Sequence, residues 1–393
     1  MLQKKFKKTL TLSQKQNLTA LFSIDGVGIK TYQRIVKYLN KNRIAWEDFW
    51  ADNSQVWRKF CLSKRIVQSV KKFKKEYDVS SYWHWLKSKQ VSVVFESEEV
   101  YPALLKMAGD RPPLLFVKGD ADLCNRLPIA VIGTRQITAY GQLVTKKITQ
   151  ELVGEGATIM SGFMYGVDVL AQQTALDNQG VTVGVLGSGF DYVYPQSHQE
   201  MMSEMLKTGR AVFISEYPPF VQPNRGTFPR RNRLIAALSL ATVVTEAGPK
   251  SGTQITVGHA LEYGREVFAV SGPITSPYHL GVKKMLNQGA TLISSGYEVI
   301  NYLTTTGWKQ VVDQRQCVEA AGVSAEPQLD LSTLELTQLQ QQVLQMIEVV
   351  PLSYSQLQQQ LETVTVAQLS QILTELELKG MITNQANKWS LLK

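Results

Sequence analysis

Between residues 90 and 302 the chain alternates short, apolar, β-branched runs with helical stretches, and few folds satisfy that pattern. The runs are VSVVF, LLFVKG, IAVIG, ATIMSG, VTVGVLG, AVFISE, TVVTEA, EVFAVSG and ATLISS. Most are apolar at every position instead of alternating, as strands covered on both faces must be. Segments with helical spacing separate many of them, for example YGQLVTKKITQELVGEG and TQITVGHALEYG. The pattern predicts an α/β protein built on a doubly wound, extended Rossmann-like sheet, with ligands gathering at the carboxyl ends of its strands.

The flanks differ in period and in charge. Residues 1–85 read as a helical domain of the SAM or helix-hairpin-helix kind. Asp25-Gly26-Val27-Gly28 precedes the amphipathic IKTYQRIVKYLN, and SKRIVQSVKKFKKEY gives a lysine-studded helix. Of the chain's 42 Lys and Arg, 20 fall within residues 1–90, against 6 of its 33 Asp and Glu. Such asymmetry points to an anionic polymer near the N-terminal part. The sheet domain is expected over 86–302 and a linker without clear period over 303–332. Residues 333–393 read as a winged helix, three short helices and a hairpin around Asn384 to Lys388. That last segment carries only Lys379, Lys388 and Lys393 against five glutamates, so a protein contact suits it better than a DNA groove.

Three strand-end segments can hold an anion. In VIGTRQITAYG, Gly133 permits a turn, Thr134 donates a hydrogen bond and Arg135 can grip an oxyanion with two donors. In TEAGPKSGTQIT, Ser251, Gly252 and Thr253 open a helix after Lys250, with room for close backbone approach. In FPRRNRLIAALS, Arg230, Arg231 and Arg233 crowd into four positions, and no acid occurs between Tyr217 and Thr245. Arginines this close repel one another unless an anion lies among them. A nucleotide cofactor, a small acidic metabolite and a nucleic-acid backbone all fit. Phe163, Phe190, Tyr192, Tyr194, Tyr217 and Phe228 lie near these turns, and aromatics interleaved with cations suit a single strand.

Several classes find no support. The G-x-G-x-x-G fingerprint is missing, since the glycine after Gly133 is Gly141. His84, His198, His259 and His279 have no metal-site spacing, and Asp168, Asp191 and Glu246 stand as isolated carboxylates suited to bonding loop backbones. Cys61, Cys124 and Cys317 form no CxxC pair, and no run reaches the length of a membrane span. No cofactor, metal or catalytic residue is expected, nor insertion into a membrane, and a reducing cytoplasm is the default.

In order along the chain, IGTRQITAYG, SGFMYGVD, GFDYVYP, SEYPP, FPRRNRLIAALS, EAGPKSGTQIT, GREVFAV and GATLI closely resemble the DNA-processing protein A (DprA, or Smf) family. The resemblance implies a non-enzymatic single-stranded-DNA-binding recombination mediator. Such proteins protect incoming strands in natural transformation, help load the RecA recombinase and dimerise through the Rossmann-like domain. By motif, Arg135 would grip a phosphate beside Gly133 and Thr134. Ser161, Gly162, Gly187, Ser188 and Gly189 would line the same pocket. Arg230, Asn232 and Arg233 would complete it, facing Ser251, Gly252 and Thr253.

The chain departs from the family pattern at Tyr165, where the family has arginine, and at Gln196 and His198, where it often has lysine and asparagine. Lys283 stands in place of asparagine and Ser271 in place of proline. The resemblance thus implies a pocket short of two cations, for which the basic N-terminal domain would compensate. The alternative function is a nucleotide-processing, phosphoribohydrolase-like enzyme of related fold. Its GGxGTxxE loop is matched here by Gly252-Thr253 but lacks the glutamate.

Overall fold

The computed structural model describes residues 10–51, 57, 62–249 and 251–306. Of the C-terminal segment it describes 339–340, 343–344, 346, 352–353, 357–358, 361, 364, 369, 372–373, 376, 382–385 and 388–391. The chain divides into two compact units, residues 1–320 and 321–393.

All nine apolar runs form strands of one sheet. They are β1 (Ser92–Phe95), β2 (Leu114–Lys118), β3 (Pro128–Ile132), β4 (Thr158–Ser161), β5 (Val181–Val185), β6 (Ala211–Ser215), β7 (Ala241–Val244), β8 (Glu266–Val270) and β9 (Thr291–Ile293). The order across the sheet is β1-β2-β6-β5-β4-β3-β7-β8-β9. From β6 through β9 every neighbouring pair is parallel. β1 and β2 extend the β6 edge in antiparallel fashion.

Thirteen helices surround the sheet among the described residues. Five precede it: α1 (Leu12–Phe22), α2 (Ile29–Asn42), α3 (Trp46–Trp50), α4 (Lys64–Glu76) and α5 (Val79–Ser88). The others are α6 (Ala103–Lys106), α7 (Ala139–Gly154), α8 (Val167–Asp177), α9 (Gln199–Lys207), α10 (Thr227–Ala237), α11 (Thr253–Glu262), α12 (His279–Asn287) and α13 (Gly296–Thr305). None is long and apolar enough to cross a membrane.

Continuous apolarity in the strands follows from two-sided burial. In β3, Ala130 and Ile132 enter a core with Leu234, Ile235 and Leu238 of the α10 segment. Ile129 and Val131 enter the opposite core with Ile148 and Leu152 of α7. Strand side chains alternate faces, so two covered faces favour apolar residues throughout, and polar ones such as Ser161 and Thr182 are small and bond backbone carbonyls. A third core joins Leu21, Ile35, Val70 and Tyr82 of the N-terminal helices to Phe163, Phe190 and Phe213 of the sheet region. Lys64, Arg65, Lys71, Lys72 and Lys75 of α4 remain exposed.

The second unit contains β10 (Leu352–Ser353), β11 (Ile382–Gln385) and β12 (Lys388–Leu391), an antiparallel sheet ordered β10-β12-β11. Leu357, Leu369, Leu373 and Leu376 form its core, with Trp389 packed against them. The expected hairpin is the β11–β12 pair, in register from Ile382↔Leu391 to Gln385↔Lys388. The expected linker beyond 306, and most of the helical positions before β11, lie outside the described residues. The whole is the α/β architecture predicted, with a helical N-terminal region and a C-terminal winged helix.

Candidate nucleic-acid interface

β3 lies between β4, which follows it in the chain, and β7, which comes later. Winding therefore proceeds in opposite directions from β3, and the loops leaving β3 and β7 separate to open a crevice. A cleft of about 660 Å³ occupies that point, lined by Gly133, Thr134, Arg135, Gln136, Met164, Asp168, Arg231, Asn232, Ser251, Gly252, Thr253 and Tyr278 among others.

Glu246, just past β7, holds the two loops together. Its backbone carbonyl accepts from Thr134 N (2.7 Å), and its carboxylate accepts from Thr138 N (2.9 Å) and Thr138 Oγ1 (2.7 Å). Thr138 in turn caps α7 by accepting from Gly141 N at 3.0 Å. Two glycines allow this closeness. A Cβ on Gly133 would lie 2.6 Å from the Glu246 carbonyl, and one on Gly141 would run into the Glu246 carboxylate and Ile137. Gly141→Ala is expected to cost about 1–3 kcal/mol, read from denaturant melts, since Glu246 must abandon Thr138 or the helix must shift.

The charged groups are arranged in two depths. Arg135 is exposed, its guanidinium 5.9 Å from the centre of the Phe228 ring, and among the described residues no carboxylate pairs with it. Arg231 is buried at the cleft floor. It donates to Gly162 O (2.5 Å) and to Val185 O, tying α10 to the ends of β4 and β5. Burial pushes its guanidinium down to about 10, opposed by Asp168 and assisted by Arg135. Burial also raises the Asp168 carboxyl, against the pull of Arg231 and a hydrogen bond from Gly162 N (3.2 Å). Two cations at one cleft, one of them unpaired, favour an anion between them.

The sequence-expected residues separate into three groups. Gly133, Thr134, Arg135, Asn232, Ser251, Gly252 and Thr253 line the cleft. Thr253 Oγ1 bonds Ser251 Oγ (2.8 Å) and donates to Gly133 O (3.1 Å), locking the start of α11 onto the β3 loop. Ser161, Gly162, Gly187, Ser188 and Gly189 instead form a supporting layer. Ser161 Oγ donates to Val131 O (2.7 Å), and Ser188 Oγ to Tyr192 O (2.7 Å). Gly187 leaves room for Phe228, whose ring a Cβ would meet at 2.9 Å.

Arg230 and Arg233 differ from the expectation that they complete the pocket. Both turn to Glu216: Arg230 Nε lies 3.0 Å from one carboxylate oxygen, and Arg233 Nη2 bonds the other. Glu216 sits one residue before the acid-free window from Tyr217 to Thr245, and β6 delivers it to the far side of α10. α10 begins at Thr227, and it is Arg231 that reaches the cleft. Lys250 lies outside the described residues. Tyr278, whose hydroxyl donates to Gln136 O (2.8 Å), carried no local signal.

A doubly wound sheet with a switch-point cleft that carries, among the described residues, an arginine without a carboxylate partner, and without the dinucleotide fingerprint, defines a Rossmann-like protein. A family model described as DNA recombination-mediator protein A matches residues 92–304, and one described as DprA winged helix domain matches 327–388. The chain belongs to this DprA/Smf family. It is 38% identical to the DNA processing protein DprA of Bacillus subtilis over 208 residues, 53% of this chain and 69% of that protein. It is 35% identical to the protein Smf of Escherichia coli over 242 residues, 62% of this chain and 64% of the relative. The solved DNA processing protein A of Streptococcus pneumoniae superposes with a TM-score of 0.60 at 28% identity, covering 75% of this chain and 98% of its own.

Proposed function

We propose that the chain is a single-stranded-DNA-binding recombination mediator, acting without a catalytic step. In this reading it shields incoming strands during natural transformation and helps load the RecA recombinase. It works in the cytoplasm as a homodimer through its Rossmann-like domain. Residues 1–85 add phosphate contacts to the domain at 86–302, and beyond the linker at 303–332 the winged helix at 333–393 serves a protein contact. The observation that carries the reading is Arg135, exposed and without a carboxylate partner among the described residues, beside an aromatic ring at the switch-point cleft. A single strand offers a phosphate to the first and bases to the second.

The test is fluorescence anisotropy of a labelled single-stranded oligonucleotide at several salt concentrations. Arg135→Ala is expected to weaken binding roughly tenfold or more and to make the log–log salt slope shallower by about 0.7. Unchanged binding in the variant, or efficient displacement of the strand by free nucleotide, would reopen the phosphoribohydrolase-like alternative. For that alternative the cleft lining supplies one carboxylate, Asp168, already occupied by Gly162 N–H.

A further inference from the structure

The loops leaving β4 and β5 carry exposed tyrosines that the phosphate reading does not use. Five tyrosines are exposed among the described residues, and three of them, Tyr165, Tyr192 and Tyr194, lie on these two loops. Their positions follow the sheet order, β7-β3-β4-β5, with neighbouring strands about 4.8 Å apart. The tyrosines therefore continue sideways from the cleft at β7 and β3 across the next two strand ends.

The rings are held in place. Tyr165 shares a hydrogen bond with Ser197 Oγ (2.9 Å), and its ring lies 4.9 Å from the His198 ring at 78°. His198 is itself buried, with Nδ1 3.2 Å from Phe163 O. Tyr165 nonetheless keeps 48% of its surface open to solvent. It adjoins the cleft directly: Met164 lines it, and Val167 N donates to Thr134 O at 3.1 Å. Tyr194 is 43% exposed and packs 5.3 Å from Phe228, the ring that lies under Arg135. A ring fixed by such contacts loses little rotamer freedom when a flat partner lands on it.

We propose that Tyr165 and Tyr194 form a base-stacking ledge continuous with the cleft, on which bases of the strand lie while Arg135 holds a phosphate. The proposal rests on the cleft being the single-strand site. It makes affinity depend on the bases, not on backbone charge alone, with little preference for sequence, because every base has a π-face.

The experiment compares a dT oligonucleotide with an abasic oligonucleotide of equal length and charge, by anisotropy on the full chain. Tyr165→Ala is expected to weaken dT binding roughly five- to 150-fold and to leave abasic binding and the salt slope unchanged. Tyr165→Phe should recover most of the loss, since it keeps the ring and gives up only the Ser197 contact. Full dT affinity in Tyr165→Ala, or an equal loss on the abasic strand, overturns the ledge. If Arg135→Ala still weakens both oligonucleotides in that case, the cleft stands without its ledge. If the unaltered chain binds neither, or Arg135→Ala binds both as before, the single-strand reading itself fails and the ledge with it.

Discussion

Glu216→Ala is expected to lower the unfolding free energy of the sheet-containing unit by about 3–5 kcal/mol, because it strands a buried guanidinium. Glu216 is almost fully buried and receives Arg233, itself 7% exposed at the side chain, and Arg230, 44% exposed. Burial pushes the Glu216 carboxyl up, and the two arginines pull against it. After truncation Arg233 keeps Asp110, whose backbone carbonyl accepts at 3.0 Å and whose carboxylate lies 3.5 Å away. That acid is half exposed and already accepts from Tyr263 OH (2.7 Å), so it replaces little of what is lost. The midpoint of the corresponding denaturant transition measures the effect. Glu216→Gln should fall between, since its one amide oxygen can still accept from Arg233 while the charge and the second acceptor, which faces Arg230, are lost. A loss within about 1 kcal/mol would mean that Arg233 swings to solvent, and the pair would then be an ordinary surface contact. Single-strand affinity measured well below the transition should not fall in Glu216→Ala, because neither Arg230 nor Arg233 lines the cleft.

The same residues show where sequence reading ends. The nine strands were legible because burial on both faces imprints apolarity at most positions, as Ile129 to Ile132 demonstrate. The switch-point loop was legible too, since close neighbours, Glu246 and Val167 at Gly133 and Glu246 and Ile137 at Gly141, leave room only for glycine. The direction of the three arginines was not. Spacing relates Arg230 to Arg233, but which of the three meets the ligand depends on a carboxylate placed by another strand. A window free of acids says nothing of an acid one residue outside it that β6 brings across. Ser161 and Gly162 share the SGFMYGVD motif with Met164 and Asp168 of the cleft lining because they support it, and proximity in a motif does not distinguish support from contact. The N-terminal boundary near 85 is a change of period, and periodicity carries no trace of the core that Tyr82 shares with Phe213.

Arg231→Met should produce a pH-dependent loss of stability together with weaker DNA binding. Methionine keeps the unbranched apolar stem and removes the guanidinium, leaving Gly162 O and Val185 O without their donor and Asp168 without its opposing cation. In the native protein burial already holds the Asp168 pKa above its ordinary value, and Arg231 limits that rise. Without the arginine the native pKa climbs further, while the unfolded value stays near about 3.9. Between those two values the unfolded chain has released its proton and the native chain has not. Fewer protons are then bound on unfolding, so stability falls as pH rises through that window. The variant's deficit should therefore be larger at pH 8 than at pH 5. Adding Asp168→Asn to Arg231→Met should remove that pH dependence and recover part of the stability, because no buried charge is left to desolvate. A deficit that is the same at both pH values would show that the carbonyl contacts, not Asp168, account for the damage. Binding distinguishes the two arginines further. Arg231 is buried against carbonyls and displaces few counterions when a strand arrives, so its loss should weaken affinity with little change in salt slope, whereas Arg135→Ala changes both.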